Sequence, residues 1–278
     1  MAATSLTPEM TDERPQPPGD MRRTWRIMTA VILPLGPLGV TIARGLMPYW
    51  TSDDAGTIVR ESMARLGTME VLTWLGLLFV PLLLLGVLGL GFVARRGAPV
   101  LATVGAGLTF FAFAVQGGTA SSDYVLLVLA RHGWDAASIE QISTVLQDHP
   151  SATAAGIVFV VGHIVGMILL GIAVGRACLA PWWVAACLAL SQPIHLVAAV
   201  IVPSRALDVI AGWGVTTMAF AWVAVTILRM RDDEWDLPPA RRAVNPASTR
   251  TPRRAPRSRA CSVDRRPLLH RPADRRMR

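Results

Sequence analysis

The hydrophobic positions of this chain fall in long runs. They do not follow the three-to-four-residue spacing of an amphipathic core helix or the alternation of a half-buried strand. Six runs reach or approach the ~20 apolar residues that cross ~30 Å of hydrocarbon. They cover residues 27–48, 71–94, 100–120 or beyond, 153–174, 182–203 and 207–228. The pattern predicts an all-α fold, a transmembrane bundle of six helices with two longer loops on one side.

Each longer loop carries a helical signal of its own. In the first, Asp53 or Asp54 caps a short helix running to Leu66, with Ile58, Met63 and Leu66 available to lie on the bundle or on the membrane surface. In the second, Asp135 is the cap, and Ile139, Ile142, Val145 and Leu146 form the apolar face of an amphipathic helix. His132 and His149 belong to this second loop and read as solvated.

Charge divides the chain further. All 27 basic residues are arginine, and 52% of the 278 residues are hydrophobic. Absence of lysine reads as the bias of a GC-rich genome and carries no chemistry. The net charge of +8 is uneven: residues 1–238 hold 14 Arg against 17 acids, residues 239–278 hold 13 against 2. Residues 1–24, with Pro8, Pro15, Pro17, Pro18 and four acids, are expected to be disordered, as is the Arg- and Pro-rich tail 231–278. The six-span domain takes residues 25–230 between them.

If the runs alternate, Arg22, Arg23, Arg26, Arg95, Arg96, Arg176, Arg229 and Arg231 share one side. Arg60, Arg65, Arg131 and Arg205 lie on the other, diluted by acids. The positive-inside rule then places both termini in the cytoplasm and the protein in the cell (plasma) membrane. Because its basic residues come late and lead into a full-length span, the first run reads as a retained anchor, not a cleaved signal. On the cytoplasmic side the tail would be drawn to anionic lipid head groups. Nucleic acid is a less specific partner, since no aromatic residue follows Leu237 to stack on bases. A biased extension without a selected role is the third reading. The oligomeric state stays open.

Candidate chemistry lies in the spans themselves. An ionisable side chain at membrane depth is costly and calls for a partner or a task. His163 lies ten residues below Thr153, about 15 Å, and His195 eight residues before Pro203, about 12 Å, at a rise of ~1.5 Å per residue. The two spans are antiparallel, so both imidazoles reach a similar level. His163 shares a face with Met167 and Leu170, beside the close-packing pair Gly162 and Gly166. His195 shares a face with Ser191 and Gln192. In the third run, Thr109, Ala112, Gln116, Thr119 and Asp123 line one face if the helix continues to Arg131, which puts Asp123 about two turns inside. If the helix ends near Ala120, Asp123 sits among head groups. The candidate polar cluster is therefore Gln116, Asp123, His163, Gln192 and His195, with Arg44, Glu70 and Arg205 at its rim. In the first span, Pro34-Leu-Gly-Pro-Leu-Gly39 predicts a kink or local unwinding.

Such a cluster fits proton or small-solute handling, or sensing. The alternative is a structural or assembly subunit without substrate, its histidines hydrogen-bonded between helices. A haem held by His163 and His195, or a facial metal set of the two histidines with Asp123, are the remaining readings; no metal or cofactor is predicted. Enzyme signatures are missing. There is no HExxH, GxSxG or P-loop, and Cys178, Cys187 and Cys261 lack zinc-type spacing. No catalytic residue is assigned.

The stretch Gly162-His-Ile-Val-Gly-Met-Ile-Leu-Leu-Gly-Ile-Ala173, followed by Pro181-Trp-Trp and Ser191-Gln-Pro-Ile-His195, resembles a group of uncharacterised multi-pass membrane proteins from actinobacteria. The likeness covers roughly residues 25–230. It implies a six-helix integral membrane protein and supplies no catalytic residue.

Overall fold

The computed structural model describes residues 19–50, 54–119 and 121–236. Most of the expected N-terminal segment and nearly all of the basic tail therefore lie outside the described residues. Six helices are long and apolar enough to span a membrane. They are α1 (Arg22–Leu46), α3 (Leu66–Ala94), α4 (Pro99–Thr119, its span ending at Gly117), α7 (Pro150–Arg176) and two composite spans. The fifth joins α8 (Trp182–Leu196) to a π-helical turn, Val197–Ile201. The sixth is built of α9 (Arg205–Leu207), a second π-helical turn, Asp208–Gly214, and α10 (Val215–Arg229). The remaining helices are α2 (Ala55–Ala64), α5 (Ser121–Arg131), α6 (Ala136–Asp148) and a single turn, α11 (Asp232–Trp235).

Each span packs beside its neighbours in sequence, and α10 packs against α1, so the six close a ring. Leu33, Val87, Leu90, Leu170, Leu188 and Phe220 fill its middle with essentially no exposure. The outside is apolar too: Leu77, Val100, Val200 and Ile210 are all more than 60% exposed. A surface of that kind is stable only against lipid. The architecture is that of a multi-pass membrane protein in contact with a bilayer. We call the face holding Arg22, Ala94, Trp182 and Arg229 the terminal side and the opposite face the loop side.

Small residues decide how closely the helices approach, because between spans packing replaces the hydrophobic drive. A Cβ at Gly36 would lie 2.3 Å from the Leu83 backbone, and one at Gly39 2.1 Å from the Phe79 ring. That contact holds α1 on α3. α1 stays helical through Pro34 and Pro37, so the expected local unwinding does not occur. A Cβ at Gly166 would meet Thr109 Oγ1 at 2.2 Å, and one at Gly162 would meet Ala112 Cβ at 2.9 Å. The GxxxG pair thus serves the internal α4–α7 contact. Thr109 and Ala112, expected on a polar stripe, are consumed by that contact.

The loop-side helices form where their caps predict. Asp54 accepts from Thr57 N at 2.7 Å to start α2, and Asp135 from Ser138 N at 3.0 Å to start α6. Val59, Leu126 and Ile139 join α2, α5 and α6 in a small apolar cluster of their own. Val145 and Leu146 lie outside it and are exposed, so only part of the expected apolar face of α6 is used.

At the terminal side, Arg26 donates to the carbonyls of Leu228 (2.9 Å), Ile227 and Met230 and pairs with Asp232 at 3.0 Å. It satisfies the orphan carbonyls at the end of α10. Trp235 on α11 is buried against Phe92, ring centroids 5.2 Å apart. The packed chain therefore runs past the expected boundary at residue 230.

Candidate functional site

The site forms where the fifth and sixth spans turn back on each other. After Pro203, Ser204 Oγ accepts from Leu207 N at 3.3 Å and restarts the helix. Asp208 follows at once, at the head of a π-helical turn. His195 sits just before the other π-helical turn. Such wide turns rotate the residues around them relative to a regular helix and recur at functional positions. Gly212 completes the approach: a Cβ there would lie 3.1 Å from His195 Cβ and 3.2 Å from Asp208 Oδ1.

Asp208 is fully buried and held by three donors. His195 Nδ1 donates to Oδ1 at 2.5 Å, and Oδ2 accepts from Arg44 Nε at 2.7 Å and from Trp50 Nε1 at 3.0 Å. A buried carboxylate survives only if paired and hydrogen-bonded. Here Arg44 supplies the countercharge, while Trp50 and His195 each donate to a further lone pair. Arg205 acts beside this group and not in it. It donates to Gly45 O at 3.3 Å and Met47 O at 2.9 Å, closing the end of α1. The Trp50 ring has the Arg44 guanidinium 5.7 Å and the Arg205 guanidinium 5.9 Å from its centroid.

Beside the pair lies a second imidazole. The rings of His163 and His195 are 6.1 Å apart by centroid. His163 Nδ1 is 2.5 Å from Phe159 O, and a carbonyl can only accept, so Nδ1 carries the hydrogen. The Asp208 carboxylate imposes the same tautomer on His195. Both Nε2 atoms therefore present lone pairs, and neither has a hydrogen-bond partner among the described residues. His163 Nε2 is also fully enclosed. Gln192 Nε2 donates to Thr216 Oγ1 at 2.9 Å, whereas Gln192 Oε1, Trp213 Nε1 and Thr109 Oγ1 are buried without a partner among the described residues. So dense a set of unsatisfied buried groups is unusual in a folded interior.

The other predicted site residues lie elsewhere. The third run is described as α4 and α5 on either side of residue 120, which lies outside the described residues. Asp123, on α5, accepts from Tyr49 Oη at 2.5 Å, a partner from beyond the end of α1. Burial and the Asp123 charge raise the Tyr49 phenol above its ordinary 10.0, so it stays a donor. Gln116 is half-buried on α4. Glu70 pairs with Arg131.

Two imidazole lone pairs could serve as metal ligands, but no group of three or more His, Cys, Asp or Glu side chains comes together among the described residues. The facial set with Asp123 is thus not assembled. Haem does not fit either. His163, His195, Trp213 and Phe113 make a closed loop of rings with successive centroids 5.7–6.1 Å apart. Their aromatic edges leave no slot for a macrocycle between the imidazoles.

The central residue, Asp208, is not among those predicted from sequence, nor are Tyr49, Trp50 and Thr216. One signal does exist: Asp208, Gly212 and Thr216 repeat at four residues along the sixth run, a polar and small stripe like that of Ser191, Gln192 and His195. Compared with family models, curated proteins and solved structures, the chain matches none.

Proposed function

We propose that this membrane protein handles protons, taking them up from its loop side through Asp208 and His195 and passing them to His163. The observation that carries the proposal is the fully buried Asp208 carboxylate holding His195 in the tautomer that leaves Nε2 free to accept. A proton added at Nε2 makes an imidazolium whose Nδ1–H already points at a carboxylate, and the charge is stabilised where it forms. The His163 ring is the next acceptor. A proton there lies against the face of Phe159, stacked with its ring centroid 4.4 Å away, which favours a cation.

Towards the terminal side, Leu170, Val174, Leu188 and Ile227 are buried and apolar. The route is therefore closed on that side in this conformation, and transfer across it needs a rearrangement. The wide turns at Val197–Ile201 and Asp208–Gly214 are the natural places for it. Such a protein works at the rate of a carrier, not of an open channel. Arginine placement supports an orientation with both ends of the membrane domain in the cytoplasm, so that uptake begins outside the cell.

The test is proton flux into proteoliposomes carrying an internal pH dye, driven by a potassium diffusion potential. Flux several-fold above protein-free vesicles is expected, with a return to that baseline for Asp208→Asn. Flux equal to protein-free vesicles would leave the structural alternative, in which Arg44, Trp50 and His195 are there to neutralise Asp208 and fasten the loop.

A further inference from the structure

A second site lies away from the buried pair, in a groove of about 420 Å³ between α3 and α5. Its lining is graded along α3. At the loop-side end are Glu70, Arg131 and His132; one and two turns further in stand Trp74 and Leu77, with Tyr124 opposite. From Glu70 to Leu77 is about 10 Å at ~1.5 Å per residue, the distance from a head group to the upper part of an acyl chain. Trp74, Leu77 and Tyr124 are 60%, 63% and 57% exposed, so the apolar wall is open to the bilayer.

The polar end has a specific chemistry. Glu70 and Arg131 form an ion pair with both side chains half exposed, which leaves carboxylate lone pairs and guanidinium hydrogens unused. His132 Nδ1 lies 2.8 Å from Val128 O and must carry the hydrogen, because the carbonyl only accepts. Its Nε2 is then an acceptor, without a hydrogen-bond partner among the described residues. The groove thus offers two acceptors, Glu70 and His132 Nε2, beside one cationic donor, Arg131. A zwitterion whose ammonium bears N–H bonds and whose phosphate lies next to it matches that set, as charge-assisted hydrogen bonds in both directions. A quaternary choline has no N–H to give. A purely anionic head group would meet Glu70.

The geometry points to a phospholipid site here, selective for a primary-ammonium head group of the phosphatidylethanolamine type. Its phosphate rests on Arg131, its ammonium on Glu70 and His132, and one acyl chain along Trp74 and Leu77.

Native mass spectrometry of the full-length protein in detergent tests this with lipids of identical acyl chains. The probes are phosphatidylethanolamine, its N-methyl and N,N-dimethyl forms, phosphatidylcholine and phosphatidylglycerol. Affinity should fall stepwise as N–H bonds are replaced, to about tenfold between the first and the choline lipid, which corresponds to ~1.4 kcal/mol. Glu70→Gln should bring the ethanolamine lipid to the choline level. Equal affinity across the methylation series, or tighter binding of phosphatidylglycerol than of phosphatidylethanolamine, overturns the site. The series uses the wild-type protein, so its outcome does not depend on how any variant folds, and it is independent of proton handling.

Discussion

His195 donates its Nδ1 hydrogen to Asp208 Oδ1 across 2.5 Å, thirteen residues along the chain and inside the apolar bundle. Neither group would be stable there alone. The carboxylate needs Arg44, and the imidazole needs the carboxylate to fix its tautomer.

Removing the carboxylate should therefore destabilise the bundle. Asp208→Asn leaves Arg44 without its countercharge and is expected to cost about 3–5 kcal/mol, in line with breaking buried ion pairs. Arg44→Gln should cost a similar amount. In the double variant the loss should be clearly smaller than the sum, because the two side chains share one interaction. Thermal unfolding in detergent measures all three. Additive losses would mean that the 2.7 Å contact between them carries little energy.

The α4–α7 contact offers an internal control. Gly166→Ala places a methyl 2.2 Å from Thr109 Oγ1 and 2.8 Å from Gly105 O, so the helices must separate, at about 1–3 kcal/mol or more. Gly156→Ala, in the same helix with nothing within 4 Å, should be neutral or slightly stabilising. If the two variants unfold at the same temperature, the close packing inferred for Gly166 is wrong.

Tyr49 supplies a pH dependence with a defined sign. Burial, then the Asp123 charge and hydrogen bond, hold its phenol above the ordinary 10.0. The folded state thus retains a proton that the unfolded chain gives up. This contribution to stability is fully present below pH 10.0 and is lost as the pH climbs from there towards the folded value. There are two tyrosines, so Tyr124→Phe isolates the Tyr49 signal. Tyrosinate absorbance should then rise only well above pH 10.0, and Asp123→Asn should move it back down. Ordinary ionisation near pH 10.0 in the Tyr124→Phe protein would show that Tyr49 is not held as described.

The spans were readable because length and apolarity alone define them, and the caps at Asp54 and Asp135 because a helix start is a local event. His163 and His195 could be placed at one depth by counting residues from the ends of an antiparallel pair. Asp208 escaped for a physical reason. It stands one residue inside the sixth run, where an acid reads as a head-group residue, and only the turn through Pro203 carries it against His195. The π-helical turns shift both faces away from regular helical spacing, and no periodicity in the sequence announces them. Asp123 escaped differently: its partner Tyr49 lies 74 residues away beyond the end of α1, and no spacing within the third run points to it.

The most direct test of proton handling is the flux of His163→Gln beside wild type, at equal protein content, in proteoliposomes under the same diffusion potential. His163 belongs to no ion pair among the described residues and its Nδ1 bonds only a carbonyl of its own helix, so the Arg44–Asp208–His195 group should remain folded in this variant. Wild-type flux several-fold above protein-free vesicles, with His163→Gln reduced to their level, is the predicted result. Flux in His163→Gln equal to that of wild type would contradict the relay.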